Sequence, residues 1–401
     1  MEHAERQHGQ FPLMELCIRM LRKLSLWNQA PGGTFSIRGY LNVGSYMLVW
    51  VMPSFVFIVT TQDNVTLLLK AVTEQIVFFT IFYKFCSFVY NFRQWESLFY
   101  DLQRTYTSVQ SDPDAEVQAV LTHVRKVAYY VTRYYCTIVT FNIMVYGIFP
   151  MIYVIIKYAI TGTYSVPLST PIEGCYFIPG YKTEFWIWLP FNGMLNVVLL
   201  LHGLMLLPME CFVWIMIYDI ACLFRILRIK ARLLGTVQGK DVQWHAEIEN
   251  FVSLHDCTLR CASALEEILS GQMLFLYTST IFSLCLLMTV ISVAFNDTHL
   301  MICMLVVINY CMFQTFCFAM LGTELIEESS SVADAIFHSS WYTRSHLEQR
   351  DLAFVLFRAQ RPVKLTAAKL FIVTRVSFAQ VLKQAYTIFT LMSQFLGENV
   401  N

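Results

Sequence analysis

The chain has 401 residues, of which 56% are hydrophobic and only 14% charged, with 28 basic and 28 acidic side chains. This composition excludes an intrinsically disordered chain and is far from that of an ordinary soluble domain. Because the charges balance, there is no basic footprint for nucleic acid, and we expect no nucleic-acid partner.

Long apolar runs predict seven membrane-spanning helices, since about 20 apolar residues cross a bilayer as a helix. The predicted spans are 40–60, 65–90, 128–160, 186–224, 271–295, 300–322 and 376–396. Before them, residues 13–26 predict a short amphipathic helix at the membrane surface. The polar stretch 91–127 predicts a helical hairpin that turns at the SDPD sequence of residues 111–114.

The placement of basic residues decides the number of spans and their orientation. The run 186–224 is long enough for two spans broken at Pro208. With one span there, the loops on one side of the membrane hold 20 basic residues and the opposite loops only Lys182. The positive-inside rule then puts the N-terminus in the cytoplasm and the C-terminus outside. The two sequons, at Asn64 and Asn296, fall in the short outer loops and are candidate glycosylation sites.

We therefore predict an all-α membrane protein with four parts. Residues 1–37 form a cytoplasmic N-terminal segment, and 38–322 form helices 1–6 with a ligand pocket and cytoplasmic helical extensions. Residues 323–372 form a cytoplasmic anchor, and 373–401 form a seventh helix with a short extracellular tail. Residues 235–240, GTVQGK, lack the Ser or Thr of a phosphate-binding loop. We expect no enzyme activity, no metal and no cofactor.

Three ionisable residues within the predicted spans are candidates for a functional role. Lys70 and Glu74 are four residues apart on one helical face, where ionisable groups are costly unless paired or wetted. We expect a self-satisfied pair near the outer interface, with a role in an ion path as the alternative. For His202 we expect a packed, hydrogen-bonded side chain rather than a proton relay.

Motifs near the C-terminus resemble those of insect odorant receptors. They are Trp341-Tyr342, the RAQRP run at 358–362, F-x-x-V-L-K at 378–383 and AYTIFTLM at 385–392. Ala385 replaces the usual serine of this family, and Ile388 stands where an aromatic residue is frequent. The chain lacks the long extra cytoplasmic loop of the shared co-receptor, so it is similar to a ligand-tuning subunit.

The resemblance implies an odorant-gated, non-selective cation channel in the plasma membrane of a sensory neuron dendrite. The subunit would assemble with co-receptor subunits into a heterotetramer and bind a small volatile between spans 2, 3, 4 and 6, in the outer half of the bilayer. Helical spacing then gives the pocket candidates, which are Ile76, Phe79, Tyr83, Met144, Gly147, Ile148, Met151, Phe191, Leu195, Tyr310 and Phe313.

The final span would line the pore. Leu391, Gln394 and Phe395 share one helical face, and an amide between bulky apolar groups suits a narrow pore that wets when it dilates. Packing of this helix on its neighbours is the alternative. Three other functions stay open: a gustatory-receptor-like chemosensory channel, a G-protein-coupled receptor and a secondary transporter. The second would place the N-terminus outside, and the third would show an internal repeat.

Overall fold

The computed structural model describes residues 14–27, 35–61, 65–164, 166, 168–234, 241–293 and 298–398. The helices are α1 (Glu15–Lys23), α2 (Ile37–Thr60), α3 (Val65–Tyr90), α4 (Phe92–Gln110), α5 (Ala115–Thr161), α6 (Phe185–Leu234), α7 (Asp241–Val293), α8 (Thr298–Phe337), α9 (His346–Ala359) and α10 (Arg375–Glu398). A 3₁₀ turn (Trp341–Thr343) precedes α9. An antiparallel hairpin of β1 (Thr366–Ala367) and β2 (Phe371–Ile372) leads into α10.

The chain is an all-α membrane protein. Within the described residues, α2, α3, α5, α6, α7 and α8 are long and apolar enough to cross a bilayer. The more polar α10 has 24 residues, a sufficient length for a seventh crossing. α6 and α7 have 50 and 53 residues, so each extends well beyond a bilayer as one continuous helix. The prediction that such extensions are cytoplasmic stays a prediction.

α6 lies at the centre of the bundle and contacts α1, α5, α7 and α8. Every residue from Met205 to Ile217 is buried, and all of them except Pro208 and Glu210 have apolar, non-proline side chains that pack on all faces of the helix. Pro208 lies inside α6 without ending it. The choice of one span in 186–224 is therefore confirmed. The carbonyl of Pro208 accepts a hydrogen bond from the Cys17 thiol at 3.0 Å.

α1 forms where the amphipathic helix is predicted, but its apolar face does not face lipid. Cys17, Ile18 and Leu21 are buried and belong to the main core. α1 packs against α6, so the predicted membrane-surface position is corrected to a position on the protein itself. Moving apolar side chains from water into an apolar protein surface is favourable, and this burial holds α1 on the bundle.

Two π-helical turns interrupt the spans, Met47–Val51 in α2 and Met144–Ile148 in α5. Each lies just before a proline, Pro53 or Pro150, at the start of the following α-helical segment. Proline has no N–H to donate, and widening the preceding turn accommodates the lost hydrogen bond. A π-turn inserts one residue and so rotates the helical faces that flank it.

The hairpin fixes the start of α10 against α7 and α8. The backbone N–H of Ala368 donates to the carbonyl of Ser270 at 3.0 Å. On α10, Phe378 packs on Phe316 with ring centroids 5.6 Å apart, and Met392 lies with its sulfur 3.4 Å from that of Cys285. The final helix thus packs against α7 and α8 along one side, and its other side is free in the single subunit.

Candidate functional site

A cavity of about 110 Å³ lies within the bundle, between α2, α3, α5, α6 and α8. Its walls are almost wholly apolar, as expected of a site for a small organic ligand. The lining residues are Tyr46, Val77, Phe78, Ile81, Val139, Asn142, Ile143, Tyr146, Leu199, His202, Gly203, Leu206, Val306, Val307 and Tyr310.

His202 supplies a polar edge to this cavity, and both of its ring nitrogens are engaged. Trp50 Nε1 donates to His202 Nδ1 at 3.0 Å, which leaves the proton on Nε2. Nε2 lies 3.0 Å from the Ser45 hydroxyl, which itself donates to the carbonyl of Asn42. The prediction of a packed, hydrogen-bonded histidine is confirmed, and this residue ties α6 to α2.

A buried charged cluster meets the cavity at Tyr310. The Glu210 carboxylate pairs with Lys84 at 2.9 Å and accepts hydrogen bonds from Tyr135, Gln314 and, at 3.3 Å, Tyr310. These partners come from α3, α5 and α8. A buried carboxylate is tolerated when it is paired and its lone pairs are satisfied, as here. The cluster therefore holds together four of the helices that form the cavity.

A second charged network lies toward the α5–α6 loop. Lys70 is 2.8 Å from Glu173 of that loop and 3.7 Å from Glu74, so the predicted self-satisfied pair is corrected to a larger network. Lys182 also pairs with Glu173 at 2.8 Å. Glu74 accepts from the Tyr146 hydroxyl at 2.5 Å and from the Glu173 backbone N–H at 3.0 Å. This network seats the loop on α3 and α5.

The partners of Glu173 favour the ionised form of its carboxyl. Burial of this loop carboxyl opposes ionisation, but the ammonium groups of Lys70 and Lys182 outweigh burial and lower its pKa to about 2. The carboxyl is therefore ionised throughout the physiological pH range.

Of the residues predicted for the pocket, only Tyr310 lines this cavity. On α3, Phe79 is 41% exposed, and both Phe79 and Tyr83 contact Phe275 of α7 instead. Ile76 is half-buried. The residues of α3 that line the cavity are Val77, Phe78 and Ile81. Val77 and Phe78 are each one position, or about 100° around the helix, from a predicted residue.

Apart from Tyr310, the predicted residues of α5, α6 and α8 also lie outside the cavity lining. Gly147 packs against Asn196, Phe191 lies between Tyr176 and Tyr181, and Leu195 is buried in the core. Met144 is exposed, as is Phe313, which stacks on Tyr135. Ile148 and Met151 are half-buried outside the cavity. As ligand contacts, these residues remain predictions that the cavity does not support.

Sequence reasoning missed the contribution of α2, whose Tyr46 lines the cavity directly before the first π-turn. A signal was present in the sequence, since Pro53 and Pro150 interrupt apolar runs and proline marks helix irregularities. The prolines indicate where the regular spacing of the helix is interrupted. They do not indicate which residue faces the cavity.

Two of the predicted pore residues, Leu391 and Gln394, lie on the free side of α10. Leu391 is 51% exposed, and Gln394 is exposed too, while Val381 and Ala385 are buried against the neighbouring helices. Ser393 is also exposed, so exposure alone does not distinguish the predicted face from its neighbour. The side chain of Phe395, and the sequon residues Asn64 and Asn296, lie outside the described residues.

Comparison with known proteins identifies similar proteins that are all described as odorant receptors or their coreceptor. A family model described as "7tm Odorant receptor" matches residues 64–386. The odorant receptor coreceptor of Aedes aegypti is 31% identical over 167 residues, which cover 40% of this chain and 34% of that protein. Odorant receptor 47b of Drosophila melanogaster is 26% identical over 197 residues, covering 48% of each. The match to these curated relatives thus spans at most about half of their length.

The fold has a solved counterpart. The insect olfactory receptor OR5 from Machilis hrabei, solved in complex with eugenol, superposes with a TM-score of 0.79 at 15% identity. The superposition covers 97% of this chain and 99% of that one. A family match over most of the chain, together with this shared fold, shows that the chain belongs to the odorant receptor family.

Proposed function

We propose that this chain is the ligand-tuning subunit of an odorant-gated, non-selective cation channel. The observation that carries the proposal is the apolar cavity in the middle of the bundle, lined by five helices that belong to an odorant receptor. Its walls offer dispersion contacts and few polar groups, which suits a compact volatile. The cavity is lined by spans 2, 3, 4 and 6, which are the spans expected to form the pocket, and also by span 1.

The proposed partner is the odorant co-receptor, in a heterotetramer. Residues 323–372, the proposed anchor, carry large apolar side chains that are more than half exposed: Phe337, Tyr342, Leu347, Phe354 and Phe357. On this proposal the segment is cytoplasmic, where lipid does not cover it. Exposed apolar clusters on an aqueous surface mark protein contacts. Similarity to the Aedes aegypti coreceptor supports a partner of the same family.

The free side of α10 supports a pore-lining role for residues 373–401. Lys383, Tyr386, Thr387, Leu391 and Gln394 are exposed there, whereas an isolated lipid-facing span would be apolar. A mixed surface of this kind suits a water-filled path shared by several subunits. On this proposal the chain resides in the plasma membrane, with its N-terminus in the cytoplasm and its C-terminus outside.

The test is to express the chain with a co-receptor, apply a panel of small volatiles and record whole-cell current while G proteins are blocked. We expect cation currents that need both subunits and survive the block. Tyr310→Ala should change the ranking of the volatiles, because removal of the ring leaves a void in the cavity. Phe79→Ala is its matched control, since Phe79 contacts Phe275 outside the cavity.

Three results would contradict the proposal: no current from any volatile at normal surface expression, full currents without a co-receptor, or loss of current under the block. A changed ranking with Phe79→Ala and not with Tyr310→Ala would instead move the pocket to the predicted face of α3.

A further inference from the structure

One wall of the cavity depends on a missing side chain. Gly203 of α6 is the only glycine among the described lining residues, and glycine within a helix is unfavourable unless packing requires it. A Cβ placed on Gly203 would lie 2.2 Å from Cδ1 of Ile143, on α5, and 3.6 Å from its Cγ1. Among the described residues outside α6, no other atom comes within 4 Å of that position. The tip of Ile143 therefore occupies the place of the side chain that Gly203 lacks.

The separation of α5 and α6 is fixed on both sides of this contact. About two turns before Gly203, Asn196 lies against Gly147 of α5, where an added Cβ would overlap the amide oxygen of Asn196. About two turns after Gly203, the Glu210 carboxylate accepts a hydrogen bond from the Tyr135 hydroxyl of α5. A methyl group added at Gly203 would therefore displace the isoleucine tip rather than separate the two helices.

The empty space next to this contact is the cavity. Ile143 and Gly203 both line it, so the cavity borders the place where their atoms meet. Isoleucine is branched at Cβ, and its χ1 angle in a helix has one strongly preferred value. Only the outer arm of Ile143 can thus turn away from Gly203 at low cost. When it turns, its methyl group enters the cavity and takes volume from the ligand.

We propose that the contact between Ile143 and Gly203 sets the upper size limit of the ligand, which is a compact, mainly hydrocarbon molecule of about one ring. This deepens, and rests on, the proposed function of the cavity as the odorant site. The volume of about 110 Å³ is somewhat below the roughly 150 Å³ of an engineered apolar cavity that binds benzene. In so small a space, one methyl group of the wall decides whether a ligand one carbon longer fits.

The experiment measures the longest side chain that each variant accepts in the series benzene, toluene, ethylbenzene and propylbenzene. Binding is measured on the purified full-length chain by the ligand-induced rise in melting temperature, and gating by current in cells with a co-receptor. Gly203→Ala should shorten the limit by one carbon. Ile143→Val, which removes the tip that lies on Gly203, should lengthen it by one carbon. Each change should alter the affinity for the limiting compound about 10-fold.

The double variant tests the contact itself. Ile143→Val removes the atom that an alanine at position 203 would strike. Gly203→Ala should therefore lower the melting temperature in the wild-type background and not in the Ile143→Val background, and the double variant should have the wild-type size limit. Should Gly203→Ala alone fail to fold, the double variant is still expected to fold. Gly193→Ala is the matched control on α6, because Gly193 does not line the cavity and its Cβ would lie 3.7 Å from Met151.

Each outcome has a definite meaning. A size limit that moves in neither single variant overturns the proposal and leaves the proposed function intact, provided that the wild type binds and responds. Equal harm from Gly203→Ala in both backgrounds also overturns it. If the wild type binds no member of the series, the proposal fails together with the assignment of the cavity as the odorant site. Limits that move as expected without any evoked current support the role of Ile143 and Gly203 and count against the channel function alone.

Discussion

At the scale of single residues, the Glu210 carboxylate determines how the helices around the cavity are held. It pairs with a lysine of α3 and accepts hydrogen bonds from side chains of α5 and α8. One of these donors is Tyr310, whose ring lines the cavity. A ligand that moves the Tyr310 ring therefore acts on a hydrogen bond to the buried cluster. On the proposed function, the contact between Tyr310 and Glu210 would link occupancy of the cavity to the packing of the helices.

We predict that Glu210→Gln and Lys84→Met each destabilise the protein by about 3–5 kcal/mol, because each leaves a buried charge without its partner. The double variant should recover much of that loss. The measurement is the free energy of unfolding, or the melting temperature, of the purified chain.

The matched control for this pair is Asp256→Asn, which breaks the exposed pair between Asp256 and Arg260, whose side chains are 59% and 69% exposed. It should cost less than about 1 kcal/mol. Additive losses in the double variant, with no recovery, would show that Lys84 and Glu210 do not act as a pair.

A second residue-scale prediction concerns Glu173 and pH. Its pKa lies below the ordinary value, so its ion pairs contribute stability above about pH 4.5 and lose it only as the pH falls toward about 2. Acidification from pH 7 to 5 should therefore leave the loop seated. Glu173→Gln should lower the melting temperature by the same amount at both pH values.

The control for this prediction is Glu184→Gln, which neutralises an exposed carboxyl at the end of the same loop and should change little. A difference between wild type and Glu173→Gln that disappears between pH 7 and 5 would mean that Glu173 takes up a proton in that interval. The assigned ionisation would then be wrong.

At the scale of elements, the link between α8 and α10 depends on a close backbone approach. A Cβ placed on Gly322 would lie 2.3 Å from the Val373 carbonyl oxygen, which is not a tolerable contact. We predict that Gly322→Ala displaces the strand that enters α10, at a cost of about 1–3 kcal/mol, and alters ligand-evoked current more than ligand binding. Both are measured on the same variant.

Gly44→Ala is the matched control for Gly322→Ala, because no atom lies within 4 Å of a Cβ placed on Gly44 in α2. That substitution should be neutral or slightly stabilising, since alanine favours helix. Normal currents in Gly322→Ala would show that the contact with Val373 does not matter for gating.

Elements were predictable where the information is local. Apolar run lengths gave the spans, and the SDPD turn gave the break between α4 and α5, where Asp114 caps α5 by accepting from the Glu116 N–H. The face of each helix was not predictable. On α3 the cavity is lined by Val77 and Phe78 rather than by the adjacent Ile76 and Phe79. Residues 76–79 are all apolar, so their sequence carries no signal for that choice.

Ion pairs between residues far apart in the chain were also not predictable from the sequence. Lys70 and Glu173 are 103 residues apart, and nothing in either segment indicates the other. The helical spacing of Lys70 and Glu74 suggested a local pair, which tertiary contact with the loop overrides. Sequence reasoning thus located the charged residues and missed the network that they form.

At the scale of the whole molecule, α8 is the element shared by the cavity and the final helix. Tyr310 of α8 lines the cavity, and Phe316, less than two turns away, packs on Phe378 of α10. A shift of α8 on ligand binding therefore reaches α10 through one rigid helix. This contact is a physical route for coupling, and coupling itself requires that α10 has two arrangements.

The final prediction follows from this arrangement. If Leu391, Gln394 and Phe395 face a shared pore, closure depends on apolar side chains that exclude water from a narrow neck. Leu391→Ser should then raise the basal current, because a polar neck is easier to wet. Gln394→Lys should reduce cation flux, since it puts a positive charge beside the permeating ions. Basal current and relative permeability are recorded with a normal co-receptor.

Thr390→Ala and Ser393→Ala are the matched controls on neighbouring positions of α10, and both should affect permeation less. Ser393 and Gln394 are both exposed in the single subunit, so only the assembled pore distinguishes the two positions. Altered permeability in Thr390→Ala and Ser393→Ala, with normal permeability in Leu391→Ser and Gln394→Lys, would place a different face of α10 toward the ions. In that case Leu391 and Gln394 would pack against a neighbouring subunit or lipid, and the gate would be formed by the more polar side of the helix.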